Sequence, residues 1–141
     1  MSVRVVCDAS ALVALLLDGG PDGRWATDAL AGTELAAPSS IAFEVANILR
    51  RHELAGLVST DQAAQADADL LDLAVEWWPY ELLAARVWEL RRNLSSYDAS
   101  YVALAELIGA TLVTLDRRIG NAPGLRCTVA TPTGGGKQPL S

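Results

Sequence analysis

Apolar and polar runs along the chain sort it into short strands and longer helices. Val3 to Cys7 is an apolar, β-branched run without polar alternation, the pattern of a strand buried on both faces. Ser10 then offers a capping hydroxyl to the helix formers that reach Leu17, and Gly19, Gly20 and Pro21 end that helix. A short helix around Trp25 to Leu30 leads to a strand near Leu35 to Ala37. Pro38, Ser39 and Ser40 then start a long helix reaching about Ala55, closed by Gly56. Ser59 followed three residues later by Gln62 is a capping-box signature for a helix through about Leu73. Val75 to Trp78 reads as a short strand cut off by Pro79, helix resumes from Tyr80 to Arg92, and another helix runs from about Ser96 to Ile108 and stops at Gly109. Thr111 to Leu115 reads as a strand, Asp116 to Ile119 as a helical turn, and Cys127 to Ala130 as the last strand.

Short buried strands separated by helices require crossover connections, so the sheet is expected to be mainly parallel and covered on both faces. The fold class is α/β: a three-layer α/β/α sandwich on a five-stranded sheet, with the first strand central and the fourth beside it. At 141 residues, 51% of them apolar, the chain can bury one core but not two. One domain over residues 1–130 is expected, and the Pro- and Gly-rich tail from Thr131 is expected to be disordered. Asp8 interrupts the opening apolar stretch and no small-residue cleavage site follows, which argues against a signal peptide. No run reaches membrane-spanning length. Cys7 and Cys127 sit in apolar surroundings and supply neither a disulfide framework nor a zinc spacing, so the cytoplasm is the expected compartment.

Four acids stand out against this frame. Asp8 follows the first strand and Asp116 the fourth, so both carboxylates belong at the carboxyl ends of parallel strands, where open α/β sheets bind ligands. Each can also be read as a turn residue or helix cap. Glu44 lies three residues after Ile41 and four before Ile48, beside the stripe of Val45 and Leu49, so its side chain is expected to face inward. The competing reading is an ion pair with a buried arginine. Asp98 heads a helix whose inward face continues through Tyr101, Val102, Ala105 and Ile108, although Ser95-x-x-Asp98 also resembles a capping box. Four carboxylates in one cleft repel unless cations neutralise them, and hard cations that take carboxylate oxygen, magnesium or manganese, are the natural occupants.

Charge and absent motifs narrow the chemistry. The formal charge of −6 excludes binding nucleic acid through overall positive charge, yet it is compatible with carboxylates gathered for metal. A metal-independent ribonuclease generally needs side-chain acids and bases, most often histidines, and His52 is the only histidine. There is no Walker-type phosphate loop, no G-x-S-x-G elbow and no His-Glu-x-x-His helix.

Four segments carry a family resemblance: Val6-Cys7-Asp8-Ala9-Ser10-Ala11-Leu12-Val13-Ala14-Leu15-Leu16, Glu44-Val45-Ala46-Asn47-Ile48-Leu49-Arg50-Arg51, Tyr97-Asp98-Ala99-Ser100-Tyr101-Val102-Ala103-Leu104-Ala105, and Leu112-Val113-Thr114-Leu115-Asp116-Arg117-Arg118. In order and spacing they resemble the four acidic motifs of PIN-domain ribonucleases of the VapC toxin type. The resemblance implies a metal-dependent endoribonuclease toxin acting on RNA and neutralised by a cognate VapB-like antitoxin. It also implies Asp8, Glu44, Asp98 and Asp116 as catalytic metal ligands, with Ser10, Asn47 and Thr114 as the groups that orient them. The mechanism it suggests is metal-assisted hydrolysis leaving a 5′-phosphate. Arg117 and Arg118 are the arginines expected nearest to RNA phosphate, unless they form only a solvated turn.

The rival is a non-catalytic magnesium-binding acidic α/β module or a degenerate toxin. A receiver-like domain would want paired acids after the first strand and a lysine near the last, but Lys137 in the tail is the only lysine. A haloacid-dehalogenase-type phosphatase would want an aspartate where Ser10 stands. Apolar helix positions beyond what so small a core can bury suggest a homodimer formed through helices, and a groove that takes an antitoxin segment.

Overall fold

The computed structural model describes residues 2–133. The expected tail begins at Thr131, and its residues 134–141 lie outside the described residues. The strands are β1 (Arg4–Cys7), β2 (Glu34–Pro38), β3 (Val75–Trp78), β4 (Thr111–Val113) and β5 (Val129–Ala130). They form one sheet in the order β3-β2-β1-β4-β5, parallel at every pairing. β1 is therefore central with β4 beside it, as the sequence pattern requires. Val6 and Cys7 in β1 and Leu112 in β4 are wholly buried, because helices cover both faces and leave no solvated side on which polar residues could alternate.

The helices are α1 (Ala9–Leu17), α2 (Pro21–Leu30), α3 (Ile41–Leu54), α4 (Thr60–Asp72), α5 (Ala84–Glu89), α6 (Ser96–Ile108) and the short α7 (Arg117–Gly120). α1 to α4 pack on one another, while α6 lies across β1, β2 and β4 with α5 against it. The two groups sandwich the sheet. α6 is buried without a break from Ala99 to Ala105, and its alanines let it approach the strands closely. It ends on Gly109, whose φ of 65° is the left-handed cap that a side chain disfavours.

Several expected ends shift. Ser10 does not cap α1: Asp8 does, accepting from the Ala11 N–H at 3.0 Å, because the chain leaves the strand one residue before the helix begins. α2 starts at Pro21, four residues before the pattern suggested, since proline suits the first turn where no N–H partner is needed. The helix expected from Tyr80 to Arg92 is a 3₁₀ turn (Tyr80–Leu82) followed by the short α5. Leu83, Val87 and Leu90 are buried, and the turn after Pro79 is closed locally by Leu83 N–H on the Tyr80 carbonyl at 2.8 Å. β4 stops at Val113, and the hydroxyl of the next residue, Thr114, donates to Asp8. β5 holds only Val129 and Ala130. The Ser59–Gln62 capping box is present as expected.

Candidate metal centre

Asp8 sits where β1 hands over to α1, and it is 4% exposed. Its Oδ1 accepts from the Ser10 hydroxyl at 2.7 Å and the Ala11 N–H at 3.0 Å, and its Oδ2 from the Thr114 hydroxyl at 2.5 Å. The two hydroxyls are themselves fixed: Thr114 Oγ1 accepts from Asp116 N–H at 2.9 Å and Ser10 Oγ from Leu115 N–H at 3.1 Å. The ends of β1 and β4 are thus stitched together around one carboxylate. All the donors are neutral, so they orient Asp8 without cancelling its charge, and burial raises its pKa above the ordinary value despite them.

Glu44, in the first turn of α3, faces inward as its spacing predicts and is half-buried. Its partner is not an arginine. Glu44 Oε1 accepts from the Tyr101 hydroxyl at 2.5 Å, and its pKa is raised by burial, with Asp98 and Asp8 adding repulsion against the lowering effect of Tyr101. Asp98 serves two purposes. Its N–H caps onto Ser95 Oγ at 3.1 Å, while its carboxyl, half-buried, is raised by desolvation first and then by repulsion from Asp116.

Asp116 behaves differently. It caps α7 through Arg118 N–H at 3.0 Å and holds the Arg118 guanidinium at 3.0 and 2.6 Å, which lowers its pKa. The Arg118 side chain is 87% exposed, so this pair is a surface contact that costs little to open. Arg118 is thus engaged by an acid of the group. Arg117 faces another hollow, shared with Gly120, Asn121 and Leu125.

The fold therefore brings the four acids into one electrostatic neighbourhood: Asp8 with Asp98, Glu44 with both, and Asp98 with Asp116. Among the described residues, no three His, Cys, Asp or Glu side chains close into a ready-made cage. Of the four, Glu44 lines a cleft. An all-carboxylate set that closes into no cage fits a hard cation that keeps several of its waters better than one stripped into a tight pocket. Ser10 and Thr114 donate to Asp8. Asn47 is placed apart: among the described residues its side chain makes no hydrogen bond to any of the acids, and it lines a neighbouring cleft. Sequence reasoning missed Tyr101 as a site residue. Its place three residues after Asp98 marked it only as core, but a buried phenol needs a partner for its hydroxyl.

Two clefts flank this centre and meet at Ile48 and Arg51. One, of about 500 Å³, is lined by Phe43, Glu44, Asn47 and Tyr97 besides those two. The other, of about 510 Å³, is more apolar and runs from Ser10 and Leu115 past Val13, Ala14 and Leu17 to Leu57 and Val58.

A parallel sheet carrying acids at the carboxyl ends of β1 and β4, with two more supplied by helices, is the architecture of a PIN domain, and the PIN domain family model matches residues 5–125. Ribonuclease VapC9 of Mycobacterium tuberculosis is 38% identical over 125 residues, covering 89% of this chain and 95% of that protein. The chain belongs to the PIN-domain family, among its VapC ribonucleases. Two solved structures share the fold. The Mycobacterium tuberculosis toxin VapC20 has a TM-score of 0.64 at 20% identity, covering 83% of this chain and 93% of that one. VapBC2 from Rickettsia felis has a TM-score of 0.65 at 14% identity, covering 92% and 98%. No helix among the described residues is long and apolar enough to cross a membrane.

Proposed function

We propose that this ribonuclease hydrolyses RNA phosphodiester bonds with magnesium or manganese held by Asp8, Glu44, Asp98 and Asp116. The observation that carries this reading is that three of the four acids are buried or half-buried, have raised pKa values and take hydrogen bonds from neutral groups, Asp98 alone also feeling the exposed Arg118 guanidinium. A carboxylate kept inside without a guanidinium is costly unless a cation comes from elsewhere. When bound, such a cation lowers the pKa of a water and offsets the charge gathering on the phosphoryl oxygens. Ser10, Thr114 and the Ala11 N–H fix the direction of Asp8. Tyr101 holds Oε1 of Glu44 and leaves the other oxygen of that carboxylate to serve as a ligand atom. A 5′-phosphate product is expected.

Regulation follows from relatives and surface. The Rickettsia felis structure is VapBC2 bound to a DNA fragment from their promoter, and VapC20 is described as a sarcin-ricin loop cleaving toxin. By analogy this chain pairs with a VapB-like antitoxin in the cytoplasm. The apolar cleft past Val13, Leu17, Leu57 and Val58 suits an antitoxin segment, and a basic side chain on it could reach the acids beyond Ser10. A homodimer through helices is favoured by exposed Leu82, Trp88 and Leu107, on and beside α5 and α6.

The test is cleavage of a single-stranded RNA with magnesium, with manganese and with chelator, by the unaltered chain and by Asp8→Asn. We expect metal-dependent cutting and a fall of more than about 100-fold in the variant, since even groups orienting a ligand are worth ~10- to 100-fold. Cutting that survives both chelator and Asp8→Asn would sink the metal reading.

A further inference from the structure

The cleft beside Glu44 has features that holding a metal does not explain. Phe43, the only phenylalanine of the chain, is 83% exposed, and Tyr97 is 57% exposed. Single apolar residues at a surface need no explanation, but these two rings come from different helices, α3 and α6, and line the same hollow. Along α3, Phe43, Asn47 and Arg51 follow one another at four-residue intervals and form a solvent-facing stripe. Among the described residues the Asn47 carboxamide makes no hydrogen bond and the Arg51 guanidinium no ion pair, although both line the hollow. Glu44, one of the four acids, forms its wall.

We propose that this hollow is a nucleobase subsite: Phe43 and Tyr97 stack one unpaired base of the RNA next to the cut, Asn47 bonds its edge, and Arg51 meets the adjoining phosphate. This rests on the ribonuclease reading and deepens it. Aromatic faces give stacking that tolerates any base, and a carboxamide can donate to and accept from a base edge. At about 500 Å³ the hollow has the size of a small-ligand site. Its chemistry favours RNA over a protein segment, because it offers an unused amide, an unused guanidinium and two rings beside Glu44. The other cleft, with its aliphatic walls, fits a protein segment better. In a chain of net charge −6, such a subsite also supplies substrate affinity that overall charge does not.

The experiment uses the full chain and a single-stranded RNA in which an abasic position is walked across both sides of the cut. Phe43→Leu and Tyr97→Leu keep apolar bulk and remove the ring face. We expect each variant to raise KM by about five- to 150-fold, the range of one lost base stack. The unaltered chain should lose the same factor when one particular position is abasic, and the variants should no longer notice that position. Binding of the same labelled RNAs, read by fluorescence anisotropy in chelator, decides the subsite even where nothing is cut. Equal binding of intact and every abasic RNA overturns it. Variants that keep KM but lose the dimer or the antitoxin also overturn it, by making the rings a protein interface. Failure to cut any RNA while the abasic discrimination persists would instead count against the parent ribonuclease reading alone.

Discussion

Two sets of inward carboxylates in this molecule have opposite surroundings. Glu106, on the outer part of α6, is met by Arg86 of α5 at 2.7 and 3.2 Å and by the Arg126 N–H at 2.7 Å, while the same guanidinium also reaches the Gly124 carbonyl at 2.6 Å and Glu89 at 3.1 Å. That clasp ties α5, α6 and the loop before β5 together, and it lowers the pKa of Glu106. Asp8, Glu44 and Asp98 have hydroxyls, a phenol and backbone groups around them, and their pKa values are raised. For Glu106 the fold supplies the cation. Asp8, Glu44 and Asp98 lie close enough to repel one another and take hydrogen bonds from neutral groups, with the Arg118 guanidinium favouring the charged form of Asp98 alone; in the function proposed above, a bound cation supplies the charge they lack.

The largest effect that sharpens this contrast is on the clasp. Glu106→Gln keeps shape but leaves the Arg86 charge, which is only 18% exposed, with Glu89 as its remaining acidic partner. Removing one partner of a buried ion pair costs about 3–5 kcal/mol, and the partial exposure here brings the expectation to about 2–3 kcal/mol. Glu44→Gln removes a charge from a repelling cluster and leaves a group that can still accept from Tyr101, so stability should be unchanged or raised. Urea titrations of the two variants check this. A Glu44→Gln loss as large as that of Glu106→Gln would mean that Glu44 is structural too.

The sequence made one side of this comparison visible and hid the other. Strand order, the direction of Glu44 and the position of Asp8 follow from apolar runs and helical spacing, because those depend on local geometry. What each acid meets depends on a second element. Nothing near Glu44 announces that Tyr101, 57 residues on, is its partner. Nothing near Arg86 points to Glu106, 20 residues on. Asn47 lies apart from the acids for a related reason: its motif neighbour Glu44 turns inward, whereas Asn47, three residues later, falls on the exposed stripe with Phe43. Periodicity places a residue on a face but does not say how far that face curves from the site.

An effect of similar size, set by the magnesium concentration, tests the missing charge directly. A cation that binds only the folded chain stabilises it by about 2.7 kcal/mol at 100 times its Kd. Magnesium should therefore raise the melting temperature of the unaltered chain more than that of Asp98→Asn. It should raise that of Glu106→Gln as much as the unaltered chain, because the clasp lies outside the cleft. If Asp98 were only the first-turn residue of α6, Asn would serve nearly as well and the magnesium shift would persist. Equal shifts in the unaltered chain and Asp98→Asn would therefore break the comparison at its centre.

The smallest effect is the pH dependence of stability without divalent metal, and the two sets of acids give it opposite signs. For Asp8, Glu44 and Asp98 the folded pKa lies above the unfolded one. The folded state then holds protons more tightly, so the stability they contribute is fully present below the ordinary carboxylate range and is lost as pH rises through the raised values. For Glu106 and Asp116 the folded pKa is depressed, so their contribution is present above the ordinary range and is lost as pH falls through the lowered values. Stability should therefore climb as pH drops from neutral toward the ordinary carboxylate range, and then fall below it. Each limb should amount to only about 1 kcal/mol, because several of these groups are half-solvated and screened. Denaturant midpoints taken across that range decide the matter. Asp98→Asn should flatten the limb on the neutral side and leave the acid side intact, and Glu106→Gln should do the reverse. A profile in which Asp98→Asn flattens the acid side instead would mean that its carboxylate is stabilised in the fold like Glu106, and that no cation is needed to explain it.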